Sequence, residues 1–375
     1  MRARSPEEGH RAATPLELFF DLVFVVAIAQ AGSSLHHALA EGHATQGVFS
    51  FSIVFFAIWW AWMNFTWFAS AYDTDDVPYR LATFVQLIGA LIIAAGIPQA
   101  FNELRFPIVT LGYSIMRLSL IGQWLRAGLA DNAHRASAFR YAIGLGLCQI
   151  GWIGLLFAPG QWIMVGFVIL VLAELLVPVW AERVAPSAWH AGHIAERYGL
   201  FTIIVLGESI LAASLAIQAA LQDGQLSAQL AIIIAGGVLI VFAMWWLYFD
   251  RPMDDLLTSL RTAFIWGYGH LFVFAAAAAV GAGLAVAVDQ ATHHAEISAT
   301  AAGAAVAIPV AIYLLVLWLL HERVRAQSGK EMALFPAAAL LILISVFTGQ
   351  AVLITGLLLA GLLAVKLVGR YRESG

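Results

Sequence analysis

Two acidic residues lie inside apolar stretches of the sequence, and they are the first candidates for chemistry. Asp21 lies in PLELFFDLVFVVAIAQ, residues 15–30, and Glu208 lies in ERYGLFTIIVLGESIL, residues 196–211. A charge in hydrocarbon costs about 2.5–3.5 kcal/mol on the insertion scale, and ionisable groups at such positions usually mark a pathway for protons, ions or solutes. We therefore expect the functional site at Asp21 and Glu208.

One arginine, Arg117, also lies inside an apolar stretch. It precedes Arg126 by nine residues, which at a helical rise of about 1.5 Å per residue corresponds to about 14 Å. Glu208 follows Arg197 by eleven residues, or about 16 Å. Because these depths agree, we expect Arg117 and Glu208 to pair, either as a static lock between two helices or as part of a functional pathway.

The second half of the chain has no arginine that matches Arg117, because Leu314 stands nine residues before Arg323. One buried cation therefore faces two acids, Asp21 and Glu208. A desolvated carboxylate without a partner favours its neutral form, so protonation or a bound cation would balance the spare charge. The remaining members of this predicted ion or solute pathway are Glu17, Asn64 and Glu174.

Two acidic turns form a possible cytoplasmic gate. Each turn follows a tryptophan pair and ends at an arginine, in YDTDDVPYR and in FDRPMDDLLTSLR. Solvated turn residues are the simplest interpretation, and gating or cation binding is the alternative. The residues concerned are Asp73, Asp75, Asp76, Arg80, Asp254, Asp255 and Arg261.

A possible metal site precedes the seventh apolar run. His190, His193 and Glu196 have the spacing H-x-x-H-x-x-E, which places them along one face of a helix. Zinc binds two imidazoles and a carboxylate in some catalytic sites. The polar start of a helix explains the same pattern, however, and we predict no metal or other cofactor.

The composition places the whole chain in a membrane. Of 375 residues, 62% are hydrophobic and 11% are charged, with a mean hydropathy of +0.86, whereas a soluble domain has about 25% charged residues. Runs of about 20 apolar residues match the thickness of the bilayer core. Twelve such runs occur, at 16–40, 47–70, 80–98, 106–126, 138–158, 161–181, 197–220, 228–249, 261–288, 299–321, 332–347 and 350–368.

The basic residues support this assignment. Seventeen of the nineteen lysines and arginines fall on the side of the N-terminus, Arg105 falls on the opposite side, and Arg117 lies within a run. Positive residues gather on the cytoplasmic side of inner-membrane proteins, so we predict twelve helices with both termini cytoplasmic. The predicted parts are a tail at 1–15, six helices at 16–181, a connection at 182–196, six helices at 197–368 and a tail at 369–375.

The two halves carry the same ordered features, which indicates an internal duplication. Asp21 precedes Trp59-Trp60, and Glu208 precedes Trp245-Trp246 at nearly the same distance. Six helices per half give the two halves the same orientation, as in a parallel repeat. The tryptophans at the end of the second and eighth runs are typical of an interfacial aromatic belt; an aromatic wall around a substrate is the alternative.

Several stretches resemble the low temperature requirement protein A (LtrA) family of bacterial membrane proteins. They are ELFFDLVFVVAIAQ, HIAERYGLFTIIVLGES and the tryptophan-rich end of the second run with YDTDD. Tyr198 stands where the family usually has phenylalanine. The family takes its name from a growth phenotype, so the resemblance implies the membrane class and no particular substrate.

From these features we expect an all-α inner-membrane protein that works as a proton-linked or cation-linked secondary transporter of a small solute. The alternatives are a membrane-embedded enzyme that uses His190, His193 and Glu196, and a non-transporting sensor or assembly factor. No phosphate-binding loop or dinucleotide motif occurs in the sequence, so nucleotides are not indicated. The expected partners are the lipid bilayer and a small solute or cation, without nucleic acid.

The charge partition predicts which loops face outward. In a Cys148→Ser background, single cysteines at Gly42, Gln225 and Gln290 should react with an impermeant thiol reagent added to intact cells. Cysteines at Ala133 and Gln327 should react only after the membrane is permeabilised. Labelling of the second group in intact cells would contradict the twelve-helix topology.

Overall fold

The computed structural model describes every residue except 2, 6, 7, 10, 223, 225, 226, 327, 374 and 375. Gln225 and Gln327, two of the positions for cysteine labelling, therefore lie outside the described residues. The described residues form twelve α-helices and no strand, which confirms the predicted all-α class. The helices are α1 Pro15–Ala40, α2 Ala44–Tyr72, α3 Val77–Glu103, α4 Pro107–Ala130, α5 Arg135–Leu155, α6 Gly160–Glu182, α7 Ala191–Gln222, α8 Ala228–Phe249, α9 Leu260–Ala291, α10 Ala299–Leu317, α11 Gly329–Ser345 and α12 Ala351–Glu373.

Short polar residues begin several of the helices. The Asp76 side chain accepts a hydrogen bond from the backbone N–H of Tyr79 at the start of α3, and Ser227 does the same for Leu230 at the start of α8. Ser259 and Ser298 cap α9 and α10 in this way. Each cap satisfies a backbone donor that the first turn leaves without a partner, so the polar connections fix where these helices begin.

Within the described part of the chain, eleven helices are long and apolar enough to cross a membrane. The exception is α4, whose 24 residues include Arg117, Gln123 and Arg126. A chain with so many apolar helices is a multi-pass integral membrane protein, because such helices need hydrocarbon rather than water around their outer faces.

Helix α7 begins earlier than the sequence predicted. The predicted run started at 197, but α7 starts at Ala191, so the connection after α6 is shorter than 182–196. Arg197 therefore lies six residues inside the helix, about 9 Å from its start. Glu208 lies 17 residues inside it, about 26 Å from its start. The agreement in depth between Glu208 and Arg117 was a consequence of the wrong starting point.

The chain divides into two compact units whose boundaries differ from the predicted halves. The first unit contains Met1–Ala27 and Phe56–Arg197, and the second contains Ile28–Phe55 and Tyr198–Gly375. The segment Ile28–Phe55, which the sequence assigned to the first half, thus belongs with the second unit. The boundaries fall within α1, α2 and α7.

Consecutive helices are neighbours inside each unit. In the first unit α3 packs on α4, α4 on α5 and α5 on α6; in the second unit α9 packs on α10, α10 on α11 and α11 on α12. A repeat of six plus six helices predicts this shared order. The duplication itself stays a prediction.

Small residues allow close helix packing. A Cβ on Gly112 of α4 would lie 2.5 Å from the backbone oxygen of Gly89 and 2.7 Å from the backbone nitrogen of Ile93, both on α3. A Cβ on Gly236 of α8 would lie 2.8 Å from the backbone of Leu353 on α12. Without hydrophobic attraction between helices in lipid, such close approach is a main source of their association.

The substitution Gly112→Ala tests this packing. The added methyl group meets backbone atoms that cannot rotate away, so we expect a loss of about 1–3 kcal/mol and a lower melting temperature in detergent. Gly122→Ala in the same helix is the matched control, because a Cβ there meets nothing within 4 Å. Equal effects of the two substitutions would contradict the role given to Gly112.

Candidate functional site

Four ionisable side chains meet between α1 and α7 in the first unit. The Arg197 guanidinium lies with Nη1 3.1 Å from Glu17 Oε1 and Nη2 2.5 Å from Asp21 Oδ1. His193 Nε2 lies 3.1 Å from Glu17 Oε1. All four side chains are 0% exposed. We call Glu17, Asp21, His193 and Arg197 the α1–α7 cluster.

The spacing of these residues explains how the two helices bring them together. Glu17 and Asp21 are four residues apart on α1, and His193 and Arg197 are four residues apart on α7. Residues at this spacing lie on one helix face. Both contacts, Glu17 with His193 and Asp21 with Arg197, join residues separated by 176 positions. The two helix segments are therefore parallel and in register, with the contacts one turn apart.

The first turn of α1 fixes the carboxylate of Glu17. Thr14 and Glu17 form a capping box, in which the Glu17 backbone N–H donates to Thr14 Oγ1 at 3.3 Å and the Thr14 N–H donates to Glu17 Oε2 at 2.8 Å. The Thr14 hydroxyl also donates to Oε2 at 3.0 Å. Such a box satisfies free donors at a helix start, and here it also orients a buried carboxylate toward α7.

Helix α2 supplies one donor, Trp62, and one acceptor, Thr66, to the cluster. Trp62 Nε1 donates to Asp21 Oδ1 at 2.7 Å, and Arg197 Nη2 donates to Thr66 Oγ1 at 3.4 Å. Trp59, Trp60 and Trp62 are at most 1% exposed. The prediction of an interfacial belt is therefore wrong for these three residues, because their indoles pack inside the protein, two of them donating to acids. Trp245 and Trp246 are 47% and 46% exposed, as a belt requires.

The formal charges of the α1–α7 cluster do not balance. Arg197 contributes one positive charge and the two carboxylates contribute two negative charges, so the sum is −1 when His193 is neutral. Asp21 Oδ2 is buried and has no hydrogen-bond partner among the described residues. Glu17 Oε1, His193 Nδ1, Arg197 Nε and Nη1, and the nearby Tyr79 hydroxyl also lack a hydrogen-bond partner among these residues. An uncompensated buried charge is costly, so the cluster favours the gain of a proton or a cation.

A second buried network in the same unit is balanced. Arg117 Nη2 contacts Glu174 Oε2 at 2.9 Å, with both side chains at most 2% exposed. Trp60 Nε1 donates to Glu174 Oε2 at 2.8 Å and Trp152 Nε1 to Oε1 at 3.1 Å. Arg117 Nη1 donates to Asn64 Oδ1 at 3.3 Å. Each carboxylate oxygen therefore has a donor, and the sum of charges is zero.

This network corrects the expected pair of Arg117 with Glu208. Glu174, named only as a further candidate, is the partner of Arg117. Glu208 is half-buried on α7 and has no hydrogen bond or ion pair within the described part of the chain. The structure brings Arg117, Glu174 and Asn64 together and brings Asp21 and Glu17 together at Arg197, and Glu208 takes part in neither group of contacts.

The N-terminal segment contacts the end of α2 and the start of α7. Arg11 donates to the backbone oxygens of Ser70 and, at 2.9 Å, Ala69, and lies 3.9 Å from Asp73. Ala13 N donates to Glu196 Oε1 at 3.2 Å. Burial, together with nearby Glu17, raises the pKa of Asp73 to about 6, although Arg11 opposes the shift. The segment thus contacts both α2 and α7 near Glu17.

The acidic turns differ from each other. Asp75 pairs with Arg80 at 2.6 Å, and Asp76 pairs with Arg126. The hydrogen bond from Arg126 lowers the pKa of Asp76 to about 2. Asp254 and Asp255 are exposed in a single turn of 3-10 helix, and Arg261 is exposed at the start of α9. The first turn is therefore an ordered set of ion pairs, whereas the second has solvated carboxylates.

The three possible metal ligands have separate partners. His190 Nε2 is 2.9 Å from the Glu8 backbone oxygen, His193 contacts Glu17, and Glu196 accepts from Ala13. Among the residues that the structure describes, no three histidine, cysteine or acidic side chains are close enough to hold a metal ion.

Sequence reasoning missed Arg197 as a site residue. It was counted with the cytoplasmic basic residues because the predicted helix began there. One signal was present: the spacing of His193 and Arg197 repeats that of Glu17 and Asp21, and both pairs stand near the start of a helix. In sequence, however, the polar residues of a buried helix start cannot be distinguished from those of an exposed connection.

The comparisons identify the family. The family model for the bacterial low temperature requirement A protein (LtrA) matches residues 12–368 of the sequence. The chain therefore belongs to this family, as the resemblance predicted. It is also 30% identical over 274 residues to the uncharacterized protein RA0937 of Rhizobium meliloti (strain 1021). That match covers 68% of this chain and 64% of the relative, so the chain spans less than two thirds of the relative's length.

The balanced Arg117–Glu174 network predicts a structural role that double substitution can test. Glu174→Gln alone leaves Arg117 buried without a counter-charge and should cost about 3–5 kcal/mol. Adding Arg117→Met removes the second charge, and the carbonyl of the introduced glutamine still accepts from one of the two tryptophans, so most of the melting temperature should return.

The exposed pair of Glu103 with Arg105, 3.5 Å apart, provides the control. Glu103→Gln should leave the melting temperature unchanged, since exposed pairs contribute little. A double variant no more stable than Glu174→Gln would argue against a simple lock.

Proposed function

We propose that this LtrA-family chain is a secondary transporter that couples the movement of a small solute to a proton or another small cation. The proposed ion-binding site is the α1–α7 cluster, in which Arg197 lies between Glu17 and Asp21. The observation that supports this most directly is the presence of two carboxylates and one guanidinium, a formal charge of −1 when His193 is neutral, on side chains with no exposure to solvent.

The contrast with the Arg117–Glu174 network supports a transport role for the cluster. Both groups lie in the first unit and both are buried, but only one of them is neutral. A buried group that only holds helices together is most stable with equal numbers of positive and negative charges, because each uncompensated charge costs several kcal/mol in a low-dielectric interior. An excess carboxylate is useful where a cation binds and leaves.

The surroundings of the cluster suggest how access is controlled. The N-terminal segment joins the end of α2 through Arg11 and the start of α7 through Ala13. Release of these contacts would open a way from the cytoplasmic side to Glu17. We place the protein in the bacterial inner membrane with both termini cytoplasmic, as the positive-inside rule predicts.

The enzymatic alternative has less support. Its proposed ligands His190, His193 and Glu196 each bind a different part of the protein. They are not directed at a shared position where a metal or substrate would sit. A sensor or assembly factor would have no need for the excess buried carboxylate of the α1–α7 cluster.

Flux measurements on purified protein in liposomes test the proposal. The liposomes contain a pH-sensitive and a sodium-sensitive dye, and pools of amino acids, sugars, carboxylates and organic cations are added outside. At least one pool should drive a proton or sodium flux in the wild type, and Asp21→Asn should abolish that flux. Glu103→Gln, at an exposed position, is the control and should retain it.

Absence of any solute-dependent flux of either cation in wild-type liposomes would contradict the transporter proposal. A flux that persists in full in an Arg197→Gln variant would place the ion site elsewhere, because that variant removes the fixed positive charge between the two acids.

A further inference from the structure

The two acids of the α1–α7 cluster have different surroundings, although they are one turn apart and share Arg197. Glu17 Oε2 accepts from the N–H and the hydroxyl of Thr14. Glu17 Oε1 lies 3.1 Å from a nitrogen of His193 and 3.1 Å from a nitrogen of Arg197, as ion-pair contacts without hydrogen-bond geometry. Asp21 has donors only at Oδ1, from Trp62 and Arg197.

The second oxygen of Asp21 differs from Glu17 Oε1, which also lacks a hydrogen bond but lies 3.1 Å from nitrogens of His193 and Arg197. Oδ2 is buried and has no hydrogen-bond partner among the described residues, on a side chain that is 0% exposed. The ionisable groups that face Asp21 are Glu17 on its own helix and Arg197 on α7. From α2, the neutral Trp62 side chain donates to Asp21 and the Thr66 hydroxyl accepts from Arg197. A buried oxygen that carries negative charge without a donor is unfavourable, and a proton on it removes that charge.

The sum of charges in the cluster also favours a proton on Asp21. Hydrogen bonds to the charged form of a carboxylate, and a cation beside it, stabilise that form. Both acids have such donors and Arg197 beside them, but Glu17 has contacts at both oxygens, from Thr14 at Oε2 and from His193 and Arg197 at Oε1, whereas the donors to Asp21 are at Oδ1. The ionised form is therefore better stabilised at Glu17 than at Asp21. Arg197 remains charged at any physiological pH. Addition of one proton to Asp21 brings the sum of charges from −1 to zero while the pair of Glu17 with Arg197 stays intact.

We propose that Asp21 is the carboxylate that binds and releases the coupling proton, at Oδ2, while Glu17 stays ionised as the fixed counter-charge of Arg197. This rests on the proposed transport function and narrows its coupling ion to a proton. In the binding step a proton from water forms the O–H bond of a neutral carboxyl group, and no other bond changes. The contact of Asp21 with Arg197 weakens, which frees Arg197 to shift toward Glu17.

The division of roles is also suited to coupling. Glu17 is anchored by the first turn of α1, so its position follows the helix start. Asp21 is bound instead by side chains of α2 and α7. Protonation of Asp21 therefore weakens the hydrogen bonds that join α1 to α2 and α7. The first turn of α1 keeps its own hydrogen bonds, so a proton can alter helix packing without disturbing the start of the helix.

Infrared difference spectroscopy between acidic and neutral pH tests this assignment, because a protonated carboxyl group has a carbonyl band that a carboxylate lacks. The variants are Asp21→Asn, Asp21→Glu and Glu17→Asp. Asparagine retains an acceptor for Trp62, the other two substitutions keep the charge of each acid, and Glu17→Asp still allows the capping box. Elution as a single species in detergent checks that the variants fold.

We expect Asp21→Asn to remove one buried carboxyl band from the difference spectrum and to lower proton uptake by one per chain. Asp21→Glu should change the frequency of that band, whereas Glu17→Asp and the exposed-site control Glu103→Gln should leave the frequency unchanged. A band that persists in Asp21→Asn, or one that moves in Glu17→Asp but not in Asp21→Glu, would overturn the assignment.

The same samples separate this inference from the transport proposal. If the band behaves as expected but no solute drives a flux in liposomes, Asp21 titrates in a protein that does not transport. If a flux is present and Asp21→Asn leaves it intact, or if only sodium moves, transport stands and Asp21 is not its proton carrier.

Discussion

The burial of Arg197 between two carboxylates is the constraint on which the first unit depends. A guanidinium with no exposure requires counter-charges in the protein, and Glu17 and Asp21 supply them from the neighbouring helix. Because the side chains on both helices are four residues apart, the contacts hold the start of α1 parallel to the start of α7. The two helices that contain the most distinctive sequence are thus joined by charge rather than by apolar packing alone.

Helix α2 connects this cluster to the balanced network of Arg117. Trp60 donates to Glu174 and Trp62 donates to Asp21, and the two indoles are two residues apart on one helix. A change in the charge of Asp21 therefore acts on a helix that also holds Glu174. The two carboxylates also serve as acceptors for Trp60 and Trp62, since an indole N–H in an apolar interior needs an acceptor.

The second unit has a different kind of polar core. Tyr248 and His270 Nε2 are 3.0 Å apart, His270 Nδ1 contacts the Trp266 backbone oxygen at 2.7 Å, and Trp266 Nε1 donates to His321 at 3.0 Å. His321 belongs to a π-helical turn, Trp318–Glu322, that follows α10. These aromatic hydrogen bonds join α8, α9 and the π-helical turn. The second unit also has a buried ion pair, Lys366 with Asp250 at 3.0 Å, but His270 and His321 are held by aromatic partners rather than by carboxylates.

The sequence alone determined the membrane class, the number and order of the helices, the family, and Asp21 as a buried acid. These properties follow from runs of apolar residues and local motifs, which do not depend on distant contacts. The tertiary structure decided the partners: Arg197 for Asp21, Glu174 for Arg117, and none within the described residues for Glu208. Depth along a helix follows from where the helix begins, and the polar start of α7 is buried by Glu17 and the N-terminal segment rather than exposed to water. No local pattern distinguishes a polar residue solvated by water from one solvated by other side chains, so these pairs became evident only in the folded chain.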